Sequence, residues 1–241
     1  MSRIFNCEYI KILIKYKNFY NFNGFLKLQS VKFKPFPDNI SLKTKNSLIL
    51  LKSNKKYTFY SIIHSYNNYC RIFCYTLFGK RVADILFFNN QIYLVPSKNK
   101  EIYLIDLKKN ISSKSIFIFL KDVVKGIQLD NAYGDDSCYY GFYNDFSGKC
   151  CKRDGFSSVE LKKGDIFRSV KIIGEKNRLP YKIILNFGDK ILKIKILEIL
   201  KPEKNPEKIF FETVKKYKRY YIKDLIKFEK AIFMESENEN K

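Results

Sequence analysis

Six cysteines and one histidine are the residues of this 241-residue chain best suited to chemistry. His64 is the sole imidazole, so a metal centre or proton relay built from several histidines is excluded. A Ser-His-Asp arrangement would have only His64 as its base, and no G-x-S-x-G elbow accompanies it. Its place where a strand meets a turn suits a partly exposed turn histidine. Cys70 and Cys74 are four apart on a strand, which sets their Cα atoms ~13 Å apart. A disulfide reaches only ~7 Å, so the two read as buried structural thiols. Cys138, Cys150 and Cys151 lie closer together in the chain, and in an oxidising compartment Cys138 can pair with either of the others. As zinc ligands they lack C-x-x-C spacing and a fourth partner. Asp135 and Asp136 beside Gly134, and Asp154 further on, suit turn backbones better than a cation. There is neither a G-x-G-x-x-G nor a P-loop. No catalytic residue, metal or cofactor is expected, and the chain does not read as an enzyme.

The charge balance is the next constraint on function. Forty-six Lys+Arg against 24 Asp+Glu leave a net +22, which calls for a polyanionic partner such as nucleic acid or an anionic membrane. The lysines are scattered through every segment, however, and the chain has three alanines among many Lys, Asn, Ile, Tyr and Phe, the residues an AT-rich genome favours. Part of the charge therefore reads as codon bias. Hydrophobic residues at 46% and aromatics at 17% are too many for a disordered chain. No apolar run reaches the roughly 18 residues of a membrane-spanning helix.

The elements that must position these residues are mostly strands. Residues 22–28 alternate, with Phe22, Leu26 and Leu28 on one face. Segments 47–51, 57–63, 69–78, 81–88, 91–95 and 101–107 follow as aromatic and β-branched runs, broken by polar tetrads and the dipeptides Gly79-Lys80 and Asn89-Asn90. That is an antiparallel meander. One helix interrupts it: Ile116, Leu120, Val123 and Ile127 recur at helical spacing, Ser112 or Ser113 can cap the start, and Gly126 fits the position after the end. Residues 130–165 read as strand, turn and strand. Four glycines there fall seven apart (134, 141, 148, 155) without a matching apolar pattern, so the spacing reads as chance. Strands resume at 166–173, 181–187 and 190–200, the last two joined by a turn at Gly188-Asp189. Residues 7–20 suit either a strand or a helix. After Pro202, Phe210, Val214, Tyr217, Tyr221, Leu225 and Phe228 trace a helical stripe whose other face carries Lys215, Lys216, Lys218 and Arg219.

Three stretches resemble a known family. FNGFLKL at 22–28, YCRIFCYTLFGKRVADILFFNNQIYLVPSKNKEIYL at 69–104 and RLPYKIILNFGDKILKIKILEILKP at 178–202 are similar to the opening, central and closing strands of the Lol-type lipoprotein-localisation proteins of bacterial envelopes, especially a lipoprotein-like branch of that superfamily. The helix near 113–126 falls where that family places one. The resemblance covers about three quarters of the chain and rests on apolar patterns and turn residues.

It implies a mainly β fold: a curved antiparallel sheet, or half-barrel, with one interposed helix and, beyond it, a C-terminal helix. The expected layout is a lead-in at 1–20, a half-barrel at 21–202, a basic amphipathic helix at 203–234 and a polar tail at 235–241. In the family such a cavity accepts acyl chains. The implied partner is a lipid or lipoprotein acyl chain, and the implied lining is Phe22, Leu26, Phe73, Leu86, Phe117, Leu120, Val124, Ile183 and Ile194. Lys215, Lys216, Lys218 and Arg219 are the expected contacts to an anionic membrane surface. A nucleic-acid-binding β-barrel of the cytosol is the competing class. The family is exported, so the expected location is the cell envelope, with the true start upstream of Met1 and lipid anchoring near Cys7. A start at Met1 would instead imply a cytoplasmic protein.

Overall fold

The computed structural model describes residues 4–5, 11–16, 28–66, 69–98, 100–106, 115–134, 137–153, 156–174, 180–201 and 206–222. Nine strands come first: β1 (Ile4–Phe5), β2 (Lys11–Tyr16), β3 (Leu28–Lys34), β4 (Ile40–Leu50), β5 (Lys55–Ser65), β6 (Tyr69–Tyr75), β7 (Arg81–Phe88), β8 (Gln91–Pro96) and β9 (Glu101–Asp106). Helix α1 (Ile116–Lys125) follows. Then come β10 (Ile127–Gly134), β11 (Cys138–Tyr143), β12 (Phe146–Arg153), β13 (Phe156–Lys163), β14 (Ile166–Ile173), β15 (Lys182–Phe187) and β16 (Lys190–Leu200). Helix α2 (Pro206–Thr213) and β17 (Lys218–Tyr221) close the described chain. Within the ambiguous 7–20 stretch, Lys11–Tyr16 is a strand.

The expected half-barrel is overturned. Among the described residues, the strands join one large mixed sheet of seventeen strands that is neither curled nor closed, accompanied by two helices. Alternating apolar residues specify which face of a strand is buried, but curvature needs bulges or glycine kinks at set positions. Among the described pairings, register shifts occur only at Asp130/Tyr133, Lys15/Tyr16 and Cys74/Tyr75.

The chain divides into two compact units. The first comprises Met1–Pro37, Leu50–Asn54 and Asp122–Ile194; the second comprises Asp38–Ile49, Lys55–Lys121 and Lys195–Lys241. In the first, β1, β2, β3 and β10 to β15 pair antiparallel in the order β1-β2-β3-β10-β11-β12-β13-β14-β15. Period-two alternation sorts its faces: Val159, Leu161, Val170, Ile172, Ile183 and Leu185 are all buried on one side. Gly141 and Gly148 stand opposite each other on β11 and β12. A Cβ on Gly148 would lie 2.4 Å from Leu129 Cδ2, and one on Gly141 would lie 2.7 Å from the Asp130 carbonyl oxygen. Two of the evenly spaced glycines thus make room for β10.

In the second unit, β5 to β9 form the expected meander. Asn89 and Asn90 both adopt positive φ (47° and 60°), the backbone of a two-residue hairpin turn between β7 and β8. Strand β17 then pairs with β9 in parallel. The basic C-terminal helix is therefore corrected: the stripe stays helical only through Thr213, because Phe210 and Val214 complete its apolar contact with Tyr69, Leu86, Val95, Ile102 and Leu104. The aromatic run Tyr217 to Tyr221 then finds an open strand edge at β9. Residues 223–241, including Leu225 and Phe228, lie outside the described residues.

Candidate functional site

Helix α1 is the element on which the expected site depends. The Ser115 hydroxyl accepts hydrogen bonds from the backbone N–H groups of Phe117 and Ile118 at 3.2 and 3.3 Å, so Ser115 caps the start, a few residues later than Ser112 or Ser113 would. Gly126 ends the helix at φ +96°, as its type predicts. No residue of α1 is fully exposed. Ile116, Phe117, Phe119, Leu120, Val123 and Val124 have relative exposures of 0–2%. Its polar residues are engaged as well. In the second unit, Lys121 Nζ lies 5.9 Å from the centre of the Phe87 ring. In the first, Asp122 accepts a hydrogen bond from the Tyr143 hydroxyl. Burial, then the Asp122 charge and that bond, push the Tyr143 pKa well above the ordinary phenol range. Arg168 stands near the same carboxylate, its guanidinium 4.5 Å from the Phe146 ring centre and 4.6 Å from that of Phe187.

The implied lining residues fall in several places. Phe22 and Leu26 lie outside the described residues. Phe117, Leu120 and Val124 are on the buried stripe of α1. Ile183 is buried on β15 opposite Ile172, and Ile194 is buried on β16. Phe73 and Leu86 go elsewhere. Arg71, Leu86, Tyr93 and Leu104 form one row across β6 to β9, and Phe73 shares their face. That is the face α2 covers, where Leu86 joins Phe210 and Val214. Phe87, which meets Lys121 of α1, points to the opposite face. The parity of β6 and β7 is what separates these two residues from the helix.

A charged cluster escaped the sequence reading. Arg71 Nε and Nη2 donate to Asp84 Oδ1 and Oδ2 at 3.0 and 2.7 Å, with side chains only 4% and 2% exposed. Arg81, 40% exposed, donates to the same Oδ2 at 2.5 Å. Both guanidiniums lie close to the Phe73 ring, at 4.2 and 4.7 Å from its centre. The sequence signal was present: Arg71 and Asp84 interrupt the apolar runs YCRIFCY and RVADILFF at positions that a hairpin through Gly79 brings together. His64 also departs from expectation. It is buried in β5, with Nδ1 2.7 Å from Ser41 Oγ and its ring edge-on to Phe73.

The thiols behave as structural groups. Burial pushes the Cys150 pKa up to about 12, and burial followed by the Asp84 charge pushes Cys74 up to about 12. Cys138 and Cys151, directly opposite on β11 and β12, form a disulfide that resolves the choice between Cys150 and Cys151. Asp135, Asp136 and Asp154 lie outside the described residues. Among the described residues no group of three or more His, Cys, Asp or Glu could hold a metal ion, and no helix is long and apolar enough to cross a membrane. Lys215, Lys216, Lys218 and Arg219 are all exposed, the first two in the turn after α2 and the last two on β17.

No protein-family model matches the chain, and no curated protein matches it. Among solved structures, the chain is similar to the crystal structure of a LolA superfamily protein from Nitrosomonas europaea. The two are 11% identical with a TM-score of 0.45, over 73% of this chain and 91% of that one.

Proposed function

We propose that this chain is a non-catalytic binding protein of the cell envelope that holds an acyl chain, from a lipid or a lipoprotein, on apolar surface beside α1. The observation that carries the reading is α1 itself: a ten-residue helix with six side chains almost wholly withdrawn from water. Such a helix is held by side-chain packing, with no ladder of backbone hydrogen bonds to a neighbour. At 1.5 Å per residue it is ~15 Å long, comparable to an acyl chain. An acyl chain that replaced part of its contacts would gain roughly 0.8 kcal/mol for each CH₂ taken from water. In the first unit Val124, Ile183 and Ile194 supply the proposed lining. The Cys138–Cys151 disulfide supports an oxidising location.

The protein then works at a membrane, and Lys215, Lys216, Lys218 and Arg219 are its proposed contacts with anionic headgroups. Each adds about 1 kcal/mol of attraction when close to the leaflet. A fluorescent fatty-acyl probe titrated into delipidated protein tests the binding reading. Saturable binding that unlabelled phospholipid displaces is expected. Binding that rises without saturation, or none, would contradict it.

A further inference from the structure

We infer that the solvent-facing side of the β10–β14 sheet in the first unit docks onto an anionic membrane, an inference that rests on the envelope reading above. Tyr133, Tyr140, Phe142 and Phe167 are large hydrophobic residues left between 38% and 52% exposed there. They are gathered by register. Tyr133 stands opposite Tyr140, and Phe142 is two residues further along β11 on the same face. Phe142, Ser147, Lys162 and Phe167 form one row across four strands, about 14 Å wide at the spacing of paired strands. Lys149 and Lys162 lie among the aromatics, and Lys171 is further along the same face. Among the described residues of these strands Asp130 and Glu160 are the acidic side chains on that face, against Lys149, Lys162 and Lys171. Exposed apolar side chains ringed by lysines complement a surface with negative headgroups over hydrocarbon.

The other polyanion with apolar faces is single-stranded nucleic acid, whose bases need free aromatic ring faces to stack on. Part of that stacking surface is occupied. Tyr133 and Tyr140 stack on each other, with centroids 5.6 Å apart and planes 22° apart. Lys149 Nζ lies over the Tyr140 ring at 5.4 Å, and Lys171 Nζ over Phe156 at 4.2 Å. Phe142 and Phe167 remain as apolar projections, which a lipid interface accepts in any ring orientation. The membrane is therefore the occupant that fits.

The chain has no tryptophan, so Phe142→Trp introduces a single fluorescent reporter at the centre of the patch. With vesicles of phosphatidylglycerol and phosphatidylethanolamine, its emission shifts to the blue and is quenched by brominated acyl chains. With single-stranded oligonucleotide it stays unchanged. In parallel, Tyr140→Ser/Phe142→Ser/Phe167→Ser, with its circular dichroism intact, loses about tenfold or more in affinity for those vesicles. The triple variant still binds the fatty-acyl probe, which separates failure of the docking face from failure of the acyl site. An unshifted reporter with vesicles, a reporter that responds to oligonucleotide instead, or a triple variant with undiminished vesicle affinity would each overturn the inference.

Discussion

Arg71 and Asp84 show how a single pair can dominate its surroundings. Both ions are almost fully buried, their two hydrogen bonds are parallel, and Arg81 adds a second donor at the half-exposed side of the cluster. Removing Arg71 leaves buried Asp84 with Arg81 as its remaining cation, so Arg71→Ala is expected to lower unfolding free energy by about 3 kcal/mol, the low end for a broken buried pair. Arg81→Ala, with a more hydrated side chain, should cost less, and urea denaturation of both variants measures the difference. The buried thiols give a second residue-scale prediction. Cys74 and Cys150 are raised from an ordinary 9.0 to about 12 in the folded protein, so folding keeps them neutral. Their contribution is fully present below about pH 9 and declines as pH rises from there towards about 12. Below pH 9 a thiol reagent should label them only as fast as the chain unfolds. Labelling of native protein at the rate of a free cysteine would contradict the burial that sets these values.

Elements whose stability is local were legible in the sequence. The strands β15 and β16 alternate cleanly around Gly188-Asp189, and α1 has its apolar stripe and its terminal glycine. Its cap was displaced, from Ser112 or Ser113 to Ser115, and Ile127, read as part of its stripe, opens β10 instead. Ser115→Ala should cost about 1 kcal/mol, since two helical N–H groups lose their acceptor. Thermal unfolding would register it, and an unchanged midpoint would return the capping role to an earlier serine. The C-terminal stripe misled because its periodicity through Tyr221 is helical, whereas its conformation is decided by a distant strand edge. Nothing in residues 214–221 announces β9 as a parallel partner. The disulfide was left open between two cysteines for the same reason: adjacent residues in a strand point to opposite faces, and only register shows that Cys151 faces Cys138. Reduction should cost about 3 kcal/mol for a loop of this length, measured as a lower denaturant midpoint with a phosphine reductant present.

At the scale of the whole molecule, the β content, the interposed helix and the lack of catalytic motifs could be read from sequence, but the shape of the sheet could not. Apolar alternation is the same in a flat sheet and a curled one, so the half-barrel had only resemblance behind it. The lining residues suffered similarly. Phe73 and Leu86 were expected in the same lining as residues of α1, yet β7 is buried on both faces, and burial pattern alone cannot assign parity to a strand of that kind. The central claim is that the apolar surface beside α1 accepts an acyl chain. Native mass spectrometry of the protein purified without detergent tests it most directly. The account predicts a population heavier than the 28.7 kDa chain by the mass of one lipid, lost on organic extraction and regained when phospholipid is added back. A spectrum holding only the bare chain, before and after that addition, would contradict it.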